Sequence, residues 1–109
     1  MKKVLVIDSS KSDKLKIGLR VGDKTTYLTS SAKVLKSQAI LPLIEKVLKK
    51  YKLNPSNIDA IEVHTGPGSF TGLRVGTAVA NALGFALKIP VNGKKIGEIV
   101  TPEYEARPQ

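Results

Sequence analysis

The sequence predicts a single α/β domain: a mixed sheet of about five strands carrying two main helices, in the order β-β-β-α-β-α-β. Three observations predict it. The chain opens on a continuous apolar run at residues 4–7, as expected of a strand covered on both faces. Two further stretches with β-strand character follow at once. From about residue 33 the apolar period changes to that of helices alternating with short strands, which implies parallel pairing and right-handed crossovers. A length of 109 residues fits one domain and leaves little room for a second.

Each element has its own signal. Val4, Leu5, Val6 and Ile7 form the first strand and Asp8 ends it. In KLKIGLRV, Leu15, Ile17, Leu19 and Val21 alternate with Lys14, Lys16, Gly18 and Arg20, the period-two pattern of a strand with one wet face. Gly22-Asp23 marks a turn, and TTYLT at residues 25–29 reads as the returning strand. Val34, Leu41, Ile44, Leu48 and Tyr51 then fall at helical spacing, which predicts a helix over residues 33–51. Pro42 opposes it, since an interior proline costs about 3 kcal/mol; the helix either kinks there or starts near Leu41. Residues 54–57 are a loop, residues 58–63 a buried strand, and residues 69–87 a second helix. Residues 89–91 start a short final strand before the Asn92-Gly93 turn. Beyond that the pattern fades into a polar tail.

Composition excludes several classes. Lys plus Arg number 18 against 9 for Asp plus Glu, a net charge of +9, which favours phosphate-rich or acidic partners. The lysines are scattered, so plain solubility explains them equally well. There is no Cys and only one His, His64, so disulfides, thiolate chemistry and a His-rich metal site are excluded. No cofactor is expected. No apolar run reaches the roughly 18 residues of a membrane span, and the start is too short for a signal peptide. The expectation is a cytoplasmic protein without a membrane association.

The informative stretch is TGPGSFTGLRVG at residues 65–76. It leaves a strand and enters a helix. Gly66 and Gly68 permit the turn, and Ser69 or Thr71 can cap the helix. Such a junction can hold a phosphate, yet it has neither the P-loop pattern nor Gly-x-Gly-x-x-Gly in register; a structural turn is the plainer use. Within the helix, Gly72, Gly76, Ala80 and Gly84 recur every four residues and form one row. Helical glycine costs roughly 1 kcal/mol relative to alanine, so the row needs a use. That use is close approach, either to the chain's own sheet or first helix, or to a partner. Leu73, Val79, Leu83 and Leu87 offer a second, apolar row. On the partner reading, Gly76→Leu blocks pairing and leaves a folded monomer.

These residues resemble a known family. The opening VLVIDSS is similar to the first strand of the TsaB (YeaZ) family, residues 40–44 (ILPLI) to its L-L-P-x-I helix, and TGPGSFTGLRVG to its signature, which continues through residues 78–91. The likeness covers about residues 3–93, taken as an N-terminal lobe, with residues 94–109 as a C-terminal tail. It implies one lobe of the actin-like/Hsp70-like ATPase fold (ribonuclease H-like). It also implies a non-catalytic scaffold subunit that binds the catalytic TsaD protein in forming N6-threonylcarbamoyladenosine in tRNA. A TsaE-type ATPase joins that complex, tRNA is met through it, and a homodimer forms when the chain is alone. The implied interface lies on the two helices: Leu41 and Ile44 on the first, and Gly68, Ser69, Phe70, Thr71, Gly72, Leu73, Arg74, Gly76, Ala80, Leu83 and Gly84 on the second and its approach. Two departures stand out. The family's second lobe is missing, and the closing residues resemble its P-x-Y-x-R ending, so a natural short form is expected. Lys36 stands where many relatives carry histidine.

No independent catalysis is expected. Asp8 ends the first strand, where ATPases of the resembled fold place a magnesium-linked aspartate, but no glycine follows it shortly to admit phosphate. Ser69 and Thr71 lack a positioned His-Asp pair. Asp8 and His64 are read as structural. Two other readings stay open: a nucleotide-binding half-enzyme using Asp8 and the loop at residues 66–69, and a small basic RNA-binding module. Few aromatic residues, 5% of the chain, speak against base stacking in the latter.

Overall fold

The computed structural model describes residues 1–31 and 36–103. Its elements are β1 (Lys3–Asp8), β2 (Lys14–Val21), β3 (Lys24–Ser31), α1 (Lys36–Lys50), a single 3-10 turn at Pro55–Asn57, β4 (Ala60–Val63) and α2 (Phe70–Leu87). The sheet order is β3-β2-β1-β4. β1 pairs antiparallel with β2, and β2 antiparallel with β3. β4 lies parallel to β1, the geometry a crossover through α1 requires.

Alternation sets the two faces of the sheet. Leu5, Ile7, Leu15, Ile17, Leu19, Ile61 and Val63 point to one side and are buried. There they meet Ile40, Leu43, Ile44, Val47 and Leu48 of α1 and Ala80 of α2 in one core. Both helices therefore cover the same face and touch each other. The other face carries Val4, Val6, Asp8, Lys16, Gly18, Arg20, Tyr27 and Glu62. On it, the Arg20 guanidinium reaches across β1 to form a two-pronged ion pair with Glu62.

Three expectations change. The sheet has four strands and not about five. At the fifth position only one residue, Val91, bridges to Ile61. The Asn92 side chain then takes over as a substitute strand: its Oδ1 accepts from Val63 N–H at 2.8 Å and its Nδ2 donates to Val63 O at 3.0 Å. Asn92 has φ of 52°, which turns the chain away before a ladder can extend. Second, α1 starts before Pro42 and continues unbroken past it. Pro42 is exposed, and burial of the apolar stripe around it offsets the lost hydrogen bond. The start expected at residue 33, and Val34 with it, lie outside the described residues. Third, α2 is 18 residues long with a mean hydropathy of 1.2, which does meet the length and composition of a membrane span; one third of it is buried in this fold.

Past α2 the chain returns. Lys88 ends the helix in the left-handed conformation. The Asn81 side chain brackets Val100, accepting from its N–H at 2.9 Å and donating to its carbonyl at 2.7 Å. Val100 is buried in the core. Glu103 N–H donates to Thr65 O at 2.7 Å, which brings this segment back to the loop ahead of α2.

Candidate functional site

The strand–loop–helix junction is built on the ends of β1 and β4, which point the same way because they are parallel. His64 N–H extends the ladder by donating to Ile7 O at 2.9 Å. The chain then turns through Gly66, whose φ of 145° suits glycine alone, and a cis Gly66-Pro67 bond. A Cβ on Gly66 would run into the Glu103 carbonyl. His64 Nε2 lies 3.3 Å from Pro67 O. Ser69 is the N-cap, its side chain accepting from Gly72 N–H.

The segment after β1 fills the space in front of this loop. Ser69 N–H donates to Ser10 O at 2.6 Å. Ser9 is fully buried, and its hydroxyl donates to Gly72 O at 2.6 Å. A Cβ on Gly68 would stand 2.6 Å from the Ser10 carbonyl oxygen, and one on Gly72 or Gly76 would collide with Ser9. The amides of Ser69, Gly72 and Leu73 thus have partners within the chain. The glycine row serves close approach, and what approaches is β1 and the loop that leaves it. Farther along, a Cβ on Gly84 would lie 2.5 Å from Val91 Cγ2.

Charges gather at the same edge. Burial works to raise the Asp8 carboxyl; against it, Ser10 donates its hydroxyl at 2.6 Å and its N–H at 3.0 Å to Oδ1. His64 and Lys16 add favourable charge, so Asp8 is held below the usual carboxylate value. Lys36, the first residue of α1, donates to Ser9 O at 3.1 Å and also to Lys11 O. Partial burial lowers its ammonium, with Asp13 and Asp8 pulling the other way. Lys36 therefore ties α1 to the β1–β2 connection. Among the described residues there is no group of three or more acidic or histidine side chains placed to hold a metal.

The residues expected at a partner interface differ in burial. Ile44 of α1 and Gly72, Leu73, Gly76, Ala80 and Gly84 of α2 are buried on the sides of the helices that face into the fold. They are part of this chain's own core, and of the two uses open to the glycine row it is the approach to the chain's own β1 and the loop after it that is seen. Ser69 and Leu83 are half-buried, and Gly68, at the loop, is exposed. Leu41, Phe70, Thr71 and Arg74 face outward; Leu41 is 54% exposed and Phe70 57%. The Arg74 guanidinium sits 5.8 Å from the Phe70 ring centroid, a cation–π contact.

The structure adds Ala78, Ala82, Phe85 and Ala86, which the four-residue row concealed. With Phe70, Thr71 and Arg74 they are the exposed positions along α2. They lie on the side opposite the glycines, because two residues of helix turn the chain by about 200°. Eighteen residues of helix carry one charge, Arg74. The signal was present in the sequence as a scarcity of charge along the glycine-bearing helix, but spacing alone does not say which row faces the sheet.

Comparison with known proteins follows the same outline. A family model described as TsaD, tRNA N6-adenosine threonylcarbamoyltransferase, matches residues 30–94. The tRNA threonylcarbamoyladenosine biosynthesis protein TsaB of Haemophilus influenzae is 33% identical over 88 residues, 81% of this chain and 37% of that protein. The tRNA N6-adenosine threonylcarbamoyltransferase of Nitrosospira multiformis is 46% identical over 54 residues, 50% of this chain and 16% of that enzyme. The solved structure of YeaZ from Pseudomonas aeruginosa superposes with a TM-score of 0.78 at 29% identity, covering 87% of this chain and 44% of that one. The chain thus spans well under half the length of these relatives, and its sheet and two helices have the actin-like architecture of YeaZ. The chain belongs to the family described as TsaD, tRNA N6-adenosine threonylcarbamoyltransferase, and within that family it groups with TsaB, also named YeaZ.

Proposed function

We propose that the chain is a non-catalytic, cytoplasmic scaffold subunit that binds a TsaD-type catalytic protein in the formation of N6-threonylcarbamoyladenosine in tRNA. One observation carries the reading: α2 is apolar on both sides. Its glycine side packs on the sheet, and its outer side, with Phe70, Ala78, Ala82 and Phe85, carries a single charge. A helix that is apolar all round is stable when both sides are covered. On the outer side Ala78, Ala82 and Ala86 let a second helix approach closely, and Phe70, Phe85 and Leu41 of α1 add large exposed apolar side chains. The relatives named TsaB and TsaD supply the class of partner. A TsaE-type ATPase and tRNA join through that pair, and the same side pairs two copies when the partner is absent.

The scaffold role rests on the junction as well. The chain's own Ser9 and Ser10 occupy the approach to the α2 N-terminus, and Asp8 is engaged by Ser10. Light scattering on the chain alone and mixed with a TsaD-type protein tests the reading. A one-to-one complex that displaces any homodimer is expected, and Phe70→Asp should abolish it while the melting temperature stays near that of the parent. A mixture that elutes as two separate species, with each protein folded, defeats the proposal.

A further inference from the structure

Strand β3 has a free edge with a definite chemistry. Asp59 and His64 N–H groups donate to Lys3 and Ile7 carbonyls, so the odd-numbered residues of β1 face β4 and the even-numbered ones face β2. Carried across the registers Val4↔Arg20, Val6↔Gly18 and Asp8↔Lys16, and then Ile17↔Leu28 and Leu19↔Thr26, the same alternation leaves Thr25, Tyr27 and Thr29 with their N–H and C=O groups directed away from β2. Among the described residues no strand pairs with them.

Among the described residues the usual protections of an edge, proline, a bulge or a covering segment, are absent. The eight residues KTTYLTSS hold no proline, pair one-to-one with β2 without a bulge, and carry one charge, at the first position. Thr25, Tyr27 and Thr29 also place their side chains on the open face of the sheet. A strand laid on this edge would set alternate side chains on that face, beside them. The neighbours there are basic. Lys16 pairs with Thr29 in register, and its ammonium leans over the Tyr27 ring, 4.9 Å from the centroid. Lys14 is exposed one step on. The carboxylates nearby are Asp8, engaged by Ser10, and Asp13 and Asp23 at the strand ends; Glu62 is engaged by Arg20.

We propose that the β3 edge binds an extended acidic peptide segment of a partner protein, which adds as a strand with alternate carboxylates facing Lys14 and Lys16. The main chain supplies affinity and the lysines select charge, as in other strand-addition sites. A second copy of the chain is the wrong occupant of this edge, because pairing β3 with β3 would place Lys14 and Lys16 of both copies on the same face of the joined sheet, where like charges oppose each other. This edge is separate from the α1–α2 side, so the proposal stands whether or not that side binds a catalytic partner.

The experiment is a titration of the full chain with a synthetic peptide of alternating glutamate and valine, followed by amide NMR. Shifts at Thr25, Tyr27 and Thr29 are expected, with binding that weakens as salt rises. The counterpart with lysine for glutamate should bind at least ~10-fold more weakly. Thr29→Pro removes only an outward N–H, so the β2–β3 ladder stays intact; it should weaken binding ~10-fold. Should that variant fail to fold, a peptide N-methylated at alternate residues must lose affinity in its place. Equal binding of the two peptides, shifts confined to α1 and α2, unchanged binding by both blocked forms, a homodimer through β3, or tRNA protecting these amides in preference to the peptide would each overturn the proposal.

Discussion

At the scale of single residues, the packing of Ser9 against the glycine row decides what a substitution does. The Ser9 hydroxyl is bound to Gly72 O and lies against Gly76. Gly76→Leu must displace β1 from α2, so it should destabilise the fold by about 3 kcal/mol and lower Tm by more than about 10 °C. A folded Gly76→Leu monomer with unchanged Tm would return the row to the outside of the molecule. Asp8 gives a second residue-scale expectation. Its folded pKa lies below the ordinary 3.8, so its ionised form is bound more favourably in the fold than in the open chain. That stabilisation is complete well above 3.8 and is lost as pH falls through the lower folded value. Asp8→Asn should therefore lower Tm at pH 7 and leave the two proteins converging below pH 3.8; a difference that persists unchanged into acid would contradict it. The charges could be counted from the sequence. That Ser10 turns back onto Asp8, and that Lys36 reaches the carbonyls of Ser9 and Lys11, depends on the loop path after β1.

At the scale of elements, two asparagines do work that a strand or a turn would otherwise do. Asn92 completes the edge of β4 where the expected fifth strand shrinks to one bridge. Asn81 holds Val100 by both of its backbone groups. Replacing Asn81 by Leu leaves a buried N–H and carbonyl without their partner, at a cost of about 1–3 kcal/mol. Hydrogen exchange at the Val100 amide should accelerate, while β1 and β2 amides keep their relative order of protection. An unchanged Val100 rate would show that Val100 is held by burial alone. Asn81 did not announce itself in the sequence, because a polar residue on a helix carries no periodicity, and Asn92 was legible as a turn residue but not as the partner of β4. The strands and helices did announce themselves: KVLVID, KLKIGLRV and the α2 segment each appear close to where their patterns place them.

At the scale of the whole molecule, charge and apolar surface act against each other. A net charge of +9 on 109 residues repels itself in the compact state. Raising ionic strength from about 0.01 to 0.15 M shortens the screening length from about 30 to 8 Å, and Tm should rise with it; a fall would mean that the Arg20–Glu62 pair and its like outweigh the repulsion. The same charge disfavours unguided self-association, yet α2 leaves Phe70 and Phe85 exposed, at 57% and 76%. A partner that covers this side removes the conflict by burying the apolar stripe.

The sequence by itself determined the order of the elements as far as α2, and the family signature at residues 65–76, because these depend on local period, turn residues and spacing; the fifth strand it also placed shrinks to one bridge. It also determined that the glycine row requires close approach, because helical glycine is costly without one. Only the tertiary structure decided what makes that approach. A row of glycines fits a neighbouring backbone from any source, and the choice between the chain's own β1 and a foreign helix depends on how Ser9 and Ser10 leave the first strand. The outward face of α2 followed from that choice: once the glycines turned inward, Phe70, Ala78, Ala82 and Phe85 had to turn outward.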